Sequence, residues 1–285
     1  MGEIGKRLHR KLTTLTRPGK KALSLNGWPP QSLAPNRTEL IADGLIPLHA
    51  DYVVVQYLSS YFAEFVSQLP EMRTYTNEVG FAENEYRPSG PPMSPLTSSF
   101  FTCWAFFDHQ IGKTDETLAD CFIAANDLIG LDPTQFDTLK KMSQSRMGIY
   151  EHQGMERDHV RLRELITDRE FICHSVTGYH GKMGELWYVR LLPPLLPEIA
   201  NHHLIFTTPY VLLGQSKEDW TAYLNRSMRR QSPSSETCDP LHALLKFGTT
   251  KNHWNEFVFL AYHHYQFDAI FLTGIPDLKA TLPHA

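Results

Sequence analysis

The chain has 285 residues, of which 42% are apolar and 20% are charged. This is the composition of an ordinary soluble globular protein, and it excludes the low-complexity classes. The four cysteines have no near neighbours among themselves, which excludes a Cys-x-x-Cys or zinc-ribbon motif. The formal net charge is −4, yet the first 21 residues hold seven basic side chains and one acidic one, so the remainder is acidic.

The N-terminus lacks the apolar segment that a secretory signal needs after its basic residues. The strongest apolar stretch, from Tyr52 to Val66, is interrupted by Gln56 and Glu64 and is too short to span a bilayer. We therefore expect no transmembrane segment and a cytoplasmic location.

Residues 1–47 are predicted to form a basic, proline-containing N-terminal arm. The basic side chains are Lys6, Arg7, Arg10, Lys11, Arg17, Lys20 and Lys21. They are candidate anion-binding residues, because a basic segment on an acidic body is typical of nucleic-acid or anionic-lipid binding. The same segment could instead fold onto the body or hang free. We expect deletion of residues 1–21 to remove few apolar contacts and to leave the body folded.

Residues 48–150 are predicted to be a helical region. A helix from His49 to Leu69 is apolar on most faces and stops at Pro70, which places it in the core. Residues 70–93 read as a long loop. The caps at Ser94, Thr114 and Asp132 predict three more helices with short connections, as in an antiparallel bundle.

Residues 158–215 are predicted to form a small antiparallel β-module, with residues 148–158 as the boundary before it. The four strand candidates are 160–166, 170–176, 185–192 and 203–213. Along 185–192 two alternating faces can be distinguished, and the one that holds Trp187, Val189 and Leu191 is the more apolar. Four short strands of this kind predict a small barrel or a curled sheet.

Residues 216–285 are predicted to return to helices that pack on the helical region. Helices begin at Ser216, at Asp239-Pro240 and at Asn252, and the last runs to about Leu272. The fold class is therefore α+β: a bundle-like helical layer, an inserted β-module of four short strands, and C-terminal helices.

The last predicted helix carries the best candidate for a metal or acid–base site. His253, Glu256, His264 and Asp268 fall on one side of it. Only His253 with Glu256 and His264 with Asp268 are close enough to share an ion, so each pair needs ligands from elsewhere. His109 and His152, each next to a carboxylate, are candidates to join them. The alternative is an ordinary helix surface with His–carboxylate pairs.

The glycine-rich loop 178–184 lies between two strand candidates, whereas a phosphate loop leads from a strand into a helix. We therefore interpret it as a wide turn. Tyr179, His180, Lys182 and Tyr188 are the candidate residues of an interaction surface.

No nucleophile elbow, Walker loop, dinucleotide fingerprint or His-Glu-x-x-His motif is present. The first functional hypothesis is accordingly a protein-interaction or adaptor protein with a protein partner and no cofactor. The second is a metal-assisted hydrolase, a phosphodiesterase or nuclease, that uses the His/carboxylate residues and a divalent metal. The third is a binder of nucleic acid or of an anionic surface through residues 1–21.

Overall fold

The computed structural model of the protein describes residues 2–15, 35–88, 94–195, 202–230 and 239–274. The chain divides into two compact units. The first consists of Met1–Phe81 and Thr102–Gln144, and the second of Ala82–Phe101 and Ser145–Ala285. Each unit is therefore built from two separate stretches of chain. The four-part division inferred from the sequence stays a prediction.

Helices and strands alternate in blocks along the chain. The helices are α1 (Glu3–Leu15), α2 (Arg37–Ala42), α3 (Pro47–Ser67), α4 (Arg73–Tyr86), α5 (Ser98–Cys103), α6 (Leu118–Ala124), α7 (Asn126–Ile129), α8 (Pro133–Gln144), α9 (Lys217–Arg230), α10 (Pro240–Phe247) and α11 (His253–Ala261). The strands are β1 (Met147–Glu156), β2 (His159–Glu164), β3 (Glu170–Ser175), β4 (Leu186–Leu192), β5 (His203–Ile205), β6 (Tyr210–Leu213), β7 (Tyr262–Gln266) and β8 (Ala269–Thr273).

The core of the first unit is built around α3, as its apolar sequence predicts. Pro47 occupies the first turn of α3, where its missing N–H has no intrahelical partner to lose. Phe62 of α3 is buried and stacks on Phe122 of α6, with ring centroids 4.4 Å apart. Among the helices that the structure describes, none is both long and apolar enough to cross a bilayer.

Helix α1 is docked on the first unit. Leu8 and Leu12 have no exposed surface. The buried Glu116 carboxylate accepts hydrogen bonds from the backbone N–H groups of Ile4, at 2.8 Å, and Gly5, at 3.1 Å. A carboxylate at this place satisfies orphan N–H groups and faces the positive end of the helix dipole. The expectation that residues 1–21 make few apolar contacts is thus wrong for α1.

We expect Glu116→Gln to lower the free energy of unfolding by about 1–3 kcal/mol, because the amide replaces one charged acceptor with a donor beside buried N–H groups. Denaturant unfolding of the variant measures the loss. Glu39→Gln, at an exposed position in α2, is the matched control and should change stability little. Equal and small effects in both variants would contradict the capping role of Glu116.

The second unit contains a closed five-stranded barrel. Strands pair in the order β1-β2-β3-β5-β4, and β1 pairs with β4 to close the ring. The β3–β5 pair is parallel and the others are antiparallel. The interior of a barrel of this size is filled by side chains. Connectivity alone does not identify a ligand.

The sheet continues outside the barrel. From β4 it extends through β6 and β8 to β7, with β6–β8 parallel and β7–β8 antiparallel. Strand β4 takes part in both regions, because Leu186–Tyr188 pair with β6 while Leu191 and Leu192 pair with β5.

Alternating side chains fill the barrel interior, as the period-two pattern of the sequence predicts. The buried members on the barrel strands are Tyr150, Val160, Leu162, Cys173, Trp187, Val189, Leu191 and Ile205, and the same core cluster continues to Val211 of β6 and Ala269 of β8. On the other face of β4, Tyr188 is also fully buried and stacks on Trp254 of α11 at 5.0 Å. Both faces of β4 are therefore core.

The expectation of four short strands is wrong, since the described residues contain eight strands, five of which (β2 to β6) lie between residues 158 and 215. The predicted boundary 148–158 lies within β1 apart from its last two residues, and the candidate 203–213 is two strands separated by a bend. The predicted last helix ends at Ala261, and β7 and β8 follow as a hairpin. Pairing of β8 with β6 stabilises this hairpin, a long-range interaction that helical spacing in the sequence cannot reveal.

Two helical predictions also need correction. The predicted loop 70–93 contains α4, preceded by a short 3-10 turn over Pro70–Met72. The predicted helix from Ser94 begins only at Ser98 and changes after Cys103 into a π-helical turn over Trp104–Asp108. Burial of all five residues of that turn holds the wider winding in place.

Because both faces of β4 are core, Trp187→Ala and Tyr188→Ala should each lower the free energy of unfolding by about 3–5 kcal/mol. Denaturant melts of the two variants test this expectation. A small effect at Tyr188 alone would mean that its face of β4 is solvated, contrary to the packing on Trp254.

Candidate functional site

The structure separates the four residues that the sequence placed on one helical stripe. His253 and Glu256 lie on α11, His264 lies on β7, and Asp268 lies in the turn between β7 and β8. The stripe does not exist because the helix ends at Ala261.

Each histidine of the predicted set has its own structural partners. His253 Nε2 is 2.8 Å from Tyr223 Oη, and its Nδ1 is 3.0 Å from Thr249 Oγ1. Burial lowers the pKa of His253 to about 4. His264 stacks in parallel on Phe271 of β8, with ring centroids 4.7 Å apart. These contacts stabilise α11 and the hairpin.

Glu256 and the two remaining histidines are similarly engaged. Tyr86 Oη donates to Glu256 at 3.3 Å. In the first unit, the buried His109 bonds through Nε2 to Glu78 at 2.8 Å. His152 donates from Nε2 to the His180 carbonyl oxygen at 2.8 Å, and its Nδ1 accepts from the backbone N–H of Gly154 at 3.0 Å. Both ring nitrogens of His152 therefore have backbone partners.

Because the pKa of His253 is lowered in the folded protein, we expect the free energy of unfolding to depend on pH. The unfolded chain binds the proton near the ordinary value of about 6.5, whereas the folded state binds it only near 4. Between these values the unfolded state holds more protons, so the contribution of His253 to stability is complete above about 6.5 and is lost as the pH falls toward 4. An NMR titration of the His253 ring should show a neutral imidazole at pH 5.5. A charged ring at that pH would contradict its burial.

The basic candidates of the N-terminus are surface residues where the structure describes them. Arg7 pairs with Glu3 at 3.6 Å, and Lys11 lies 4.0 Å from Glu71. Lys6 and Arg10 are exposed. The other three, Arg17, Lys20 and Lys21, lie outside the described residues. Binding of an anion by this segment stays a prediction.

One of the four interaction-surface candidates is ruled out by its position. Tyr188 is fully buried and cannot contribute to an exposed surface. Tyr179 is half-buried and donates to Glu185 at 3.2 Å, and burial raises its pKa above the ordinary range. His180 and Lys182 are exposed. Between β3 and β4 the exposed loop thus retains two of the predicted residues.

Three histidines that the sequence did not single out meet on the outside of the barrel. Val160 and Cys173 pair across β2 and β3 and point inward, so His159 and His174 next to them point outward. His202 immediately precedes β5, which pairs with β3. The ring centroids are 4.7 Å apart for His159 and His202, 6.1 Å for His159 and His174, and 6.5 Å for His174 and His202. We call these three residues the histidine cluster.

Two of the three rings lie in surroundings that favour the neutral form. Desolvation lowers the pKa of His174, and the charges of His159, His202 and His180 lower it further. Desolvation and His159 likewise lower the pKa of His202. His174 and His202 therefore resist protonation, because each imidazolium would be partly desolvated and would lie beside other basic rings.

The neighbouring arginines on the outer face of β2 are already paired with carboxylates. Arg161 bonds to Glu170 at 3.1 Å and Arg163 to Glu151 at 2.8 Å. Glu151 also accepts a hydrogen bond from Lys217 at 2.9 Å, so this carboxylate is shared by two basic side chains.

The hairpin β7–β8 is the second feature of note. In the part of the chain that the structure describes, β7 pairs only with β8 and forms one end of the sheet. Its surface carries large apolar side chains: Leu260 just before it is 46% exposed, Tyr265 is 54% exposed and Phe267 at the tip is 76% exposed. Phe267 also has a φ of +50°, a left-handed conformation that is uncommon for a bulky residue.

Across the described ranges, no group of three or more His, Cys, Asp or Glu side chains is already arranged to hold a metal ion. Comparison of the chain with protein-family models, with curated proteins and with solved structures finds no match. The histidine cluster and the open edge of β7 are the two features of the molecule from which a function can be inferred.

Proposed function

We propose that the protein is a binding protein that captures an extended segment of a partner polypeptide along the open edge of β7. The observation that carries this proposal is an edge strand whose outward backbone groups lie beside exposed aromatic side chains. An added strand gains its affinity from backbone hydrogen bonds and its specificity from side-chain contacts.

The register of the hairpin shows which backbone groups face the edge. Gln266 and Ala269 flank the two-residue turn and form its hydrogen-bonded pair. The next pair, Tyr265 with Ile270, is then a non-hydrogen-bonded pair. In agreement, the N–H of Ile270 points away from β7 and donates to Pro209 at 2.9 Å. The N–H and C=O of Tyr265 therefore point toward the open edge.

The side chains at the edge support the same function. Natural proteins protect free edges with charges or proline, but β7 (Tyr-His-His-Tyr-Gln) contains no lysine, arginine, carboxylate or proline. The tip keeps Phe267 exposed in a left-handed conformation that Asn or Gly would adopt with less strain. Strain without packing is an observation from which a functional role can be inferred.

The test uses a phage-displayed library of random linear peptides selected on the intact protein. Tyr265→Pro removes the outward N–H while leaving the hydrogen bonds to β8 in place. Tyr265→Thr keeps the N–H and the β propensity but removes the ring. We expect the selected peptides to lose at least tenfold in affinity for Tyr265→Pro and less for Tyr265→Thr. Hydrogen exchange at the Tyr265 amide should slow when peptide is bound.

Phe267→Asn separates binding from folding. It should raise the free energy of unfolding by about 1 kcal/mol, because Asn tolerates the left-handed conformation, and it should weaken peptide binding. Selected peptides that bind Tyr265→Pro as tightly as the parent would contradict the proposal. Failure of a folded parent to select any peptide would contradict it as well.

A further inference from the structure

We propose that His159, His174 and His202 form a binding site for a divalent transition-metal ion of the zinc class on the outer face of the barrel. This site is separate from the β7 edge and does not depend on peptide binding there. Its ligands come from β2, β3 and the residue before β5, three segments that the barrel closure holds together.

The spacing of the rings is close to what one ion requires. Three imidazoles on one tetrahedral zinc, with metal–nitrogen bonds of about 2.0–2.1 Å, have ring centroids roughly 5 Å apart. His159 and His202 already meet this requirement at 4.7 Å. The ring centroid of His174 lies 6.1 Å from that of His159 and 6.5 Å from that of His202. The His174 ring must therefore move about 1 Å closer to the other two rings to reach the tetrahedral spacing. The half-buried His174 side chain can do so by a change of its own torsions.

The ring nitrogens of the histidine cluster are available to a ligand. Within the described part of the chain, the aromatic-ring contacts of His159, His174 and His202 are with one another, and none of the three side chains makes a hydrogen bond to a protein group. By contrast, both ring nitrogens of His152 and of His253 are engaged.

The type of ligand also suits a metal, because imidazole nitrogen is a common ligand of zinc, copper and nickel. His180, near enough for its charge to act on His174, is exposed and available as a fourth ligand. Imidazole ligands without carboxylates select zinc, copper or nickel over magnesium or calcium.

The experiment titrates zinc chloride and, separately, nickel chloride into the intact protein, purified without a histidine tag, in a calorimeter at pH 7.5. We expect one ion per chain. His159→Ala, His174→Ala and His202→Ala should each lower the affinity at least tenfold. Cobalt in place of zinc should give the visible absorption of a tetrahedral nitrogen site, and this absorption should disappear in the three variants.

His264→Ala is the matched control, because it removes another half-buried histidine from the same unit. His264 lies on β7, and four strands of the sheet separate β7 from β3. It should leave the affinity and the cobalt spectrum unchanged. Circular dichroism establishes that each variant is folded. Unchanged binding in His174→Ala, or no one-to-one binding by the folded parent, would overturn the proposal. Several weak sites that disappear in proportion to the number of histidines removed would also overturn it.

Discussion

The pairing of β1 with both β2 and β4 is the constraint on which the second unit depends. Residues 147–151 of β1 pair with β4, and the strand pairs with β2 from Tyr150 onward, so Tyr150 and Glu151 have partners on both sides. A register shift between His152 and Met155 bends the part of β1 that pairs with β2. Without this shared strand the ring would open and β4 would become accessible along one side. With it, Trp187 and Tyr188 are buried on opposite faces of the same strand.

Closure also determines where function can lie. Ring closure pairs the barrel strands with one another, and in the described part of the chain the extension of the sheet from β4 ends at β7, which pairs on one side with β8. The outer surface of the ring brings β2, β3 and β5 side by side, which places the histidine cluster at one point. The two proposed binding functions thus arise from the two parts of one sheet: its free edge and its closed wall.

The sequence predicted features that depend on local pattern. The apolar run of α3 and the alternation in β4 can be predicted because residues close together in the sequence determine them. The parallel pairing of β3 with β5 and of β6 with β8 cannot be predicted from the sequence pattern, because these strands lie far apart along the chain. The hairpin β7–β8 was mistaken for helix for the same reason. The histidine cluster was missed since its members become neighbours only through strand pairing.

The signal that could have identified the cluster is present but weak. His159 and His174 occupy outward positions on two strands whose inward residues alternate clearly, so correct pairing of β2 with β3 would have placed them side by side. The charge of the basic N-terminus does not show whether this segment folds onto the body or hangs free. In the structure α1 packs within the first unit, through the buried Leu8 and Leu12 and through the hydrogen bonds of Glu116 to its first turn.

Barrel closure is tested most directly by backbone nuclear Overhauser effects in the isotope-labelled protein. The account predicts parallel-strand contacts between Ser175 and Ile205 together with antiparallel contacts between Ile149 and Tyr188. It also predicts slow amide exchange along β4. Contacts from β3 to β2 alone, with rapid exchange on its other side, would show an open sheet and would contradict the account.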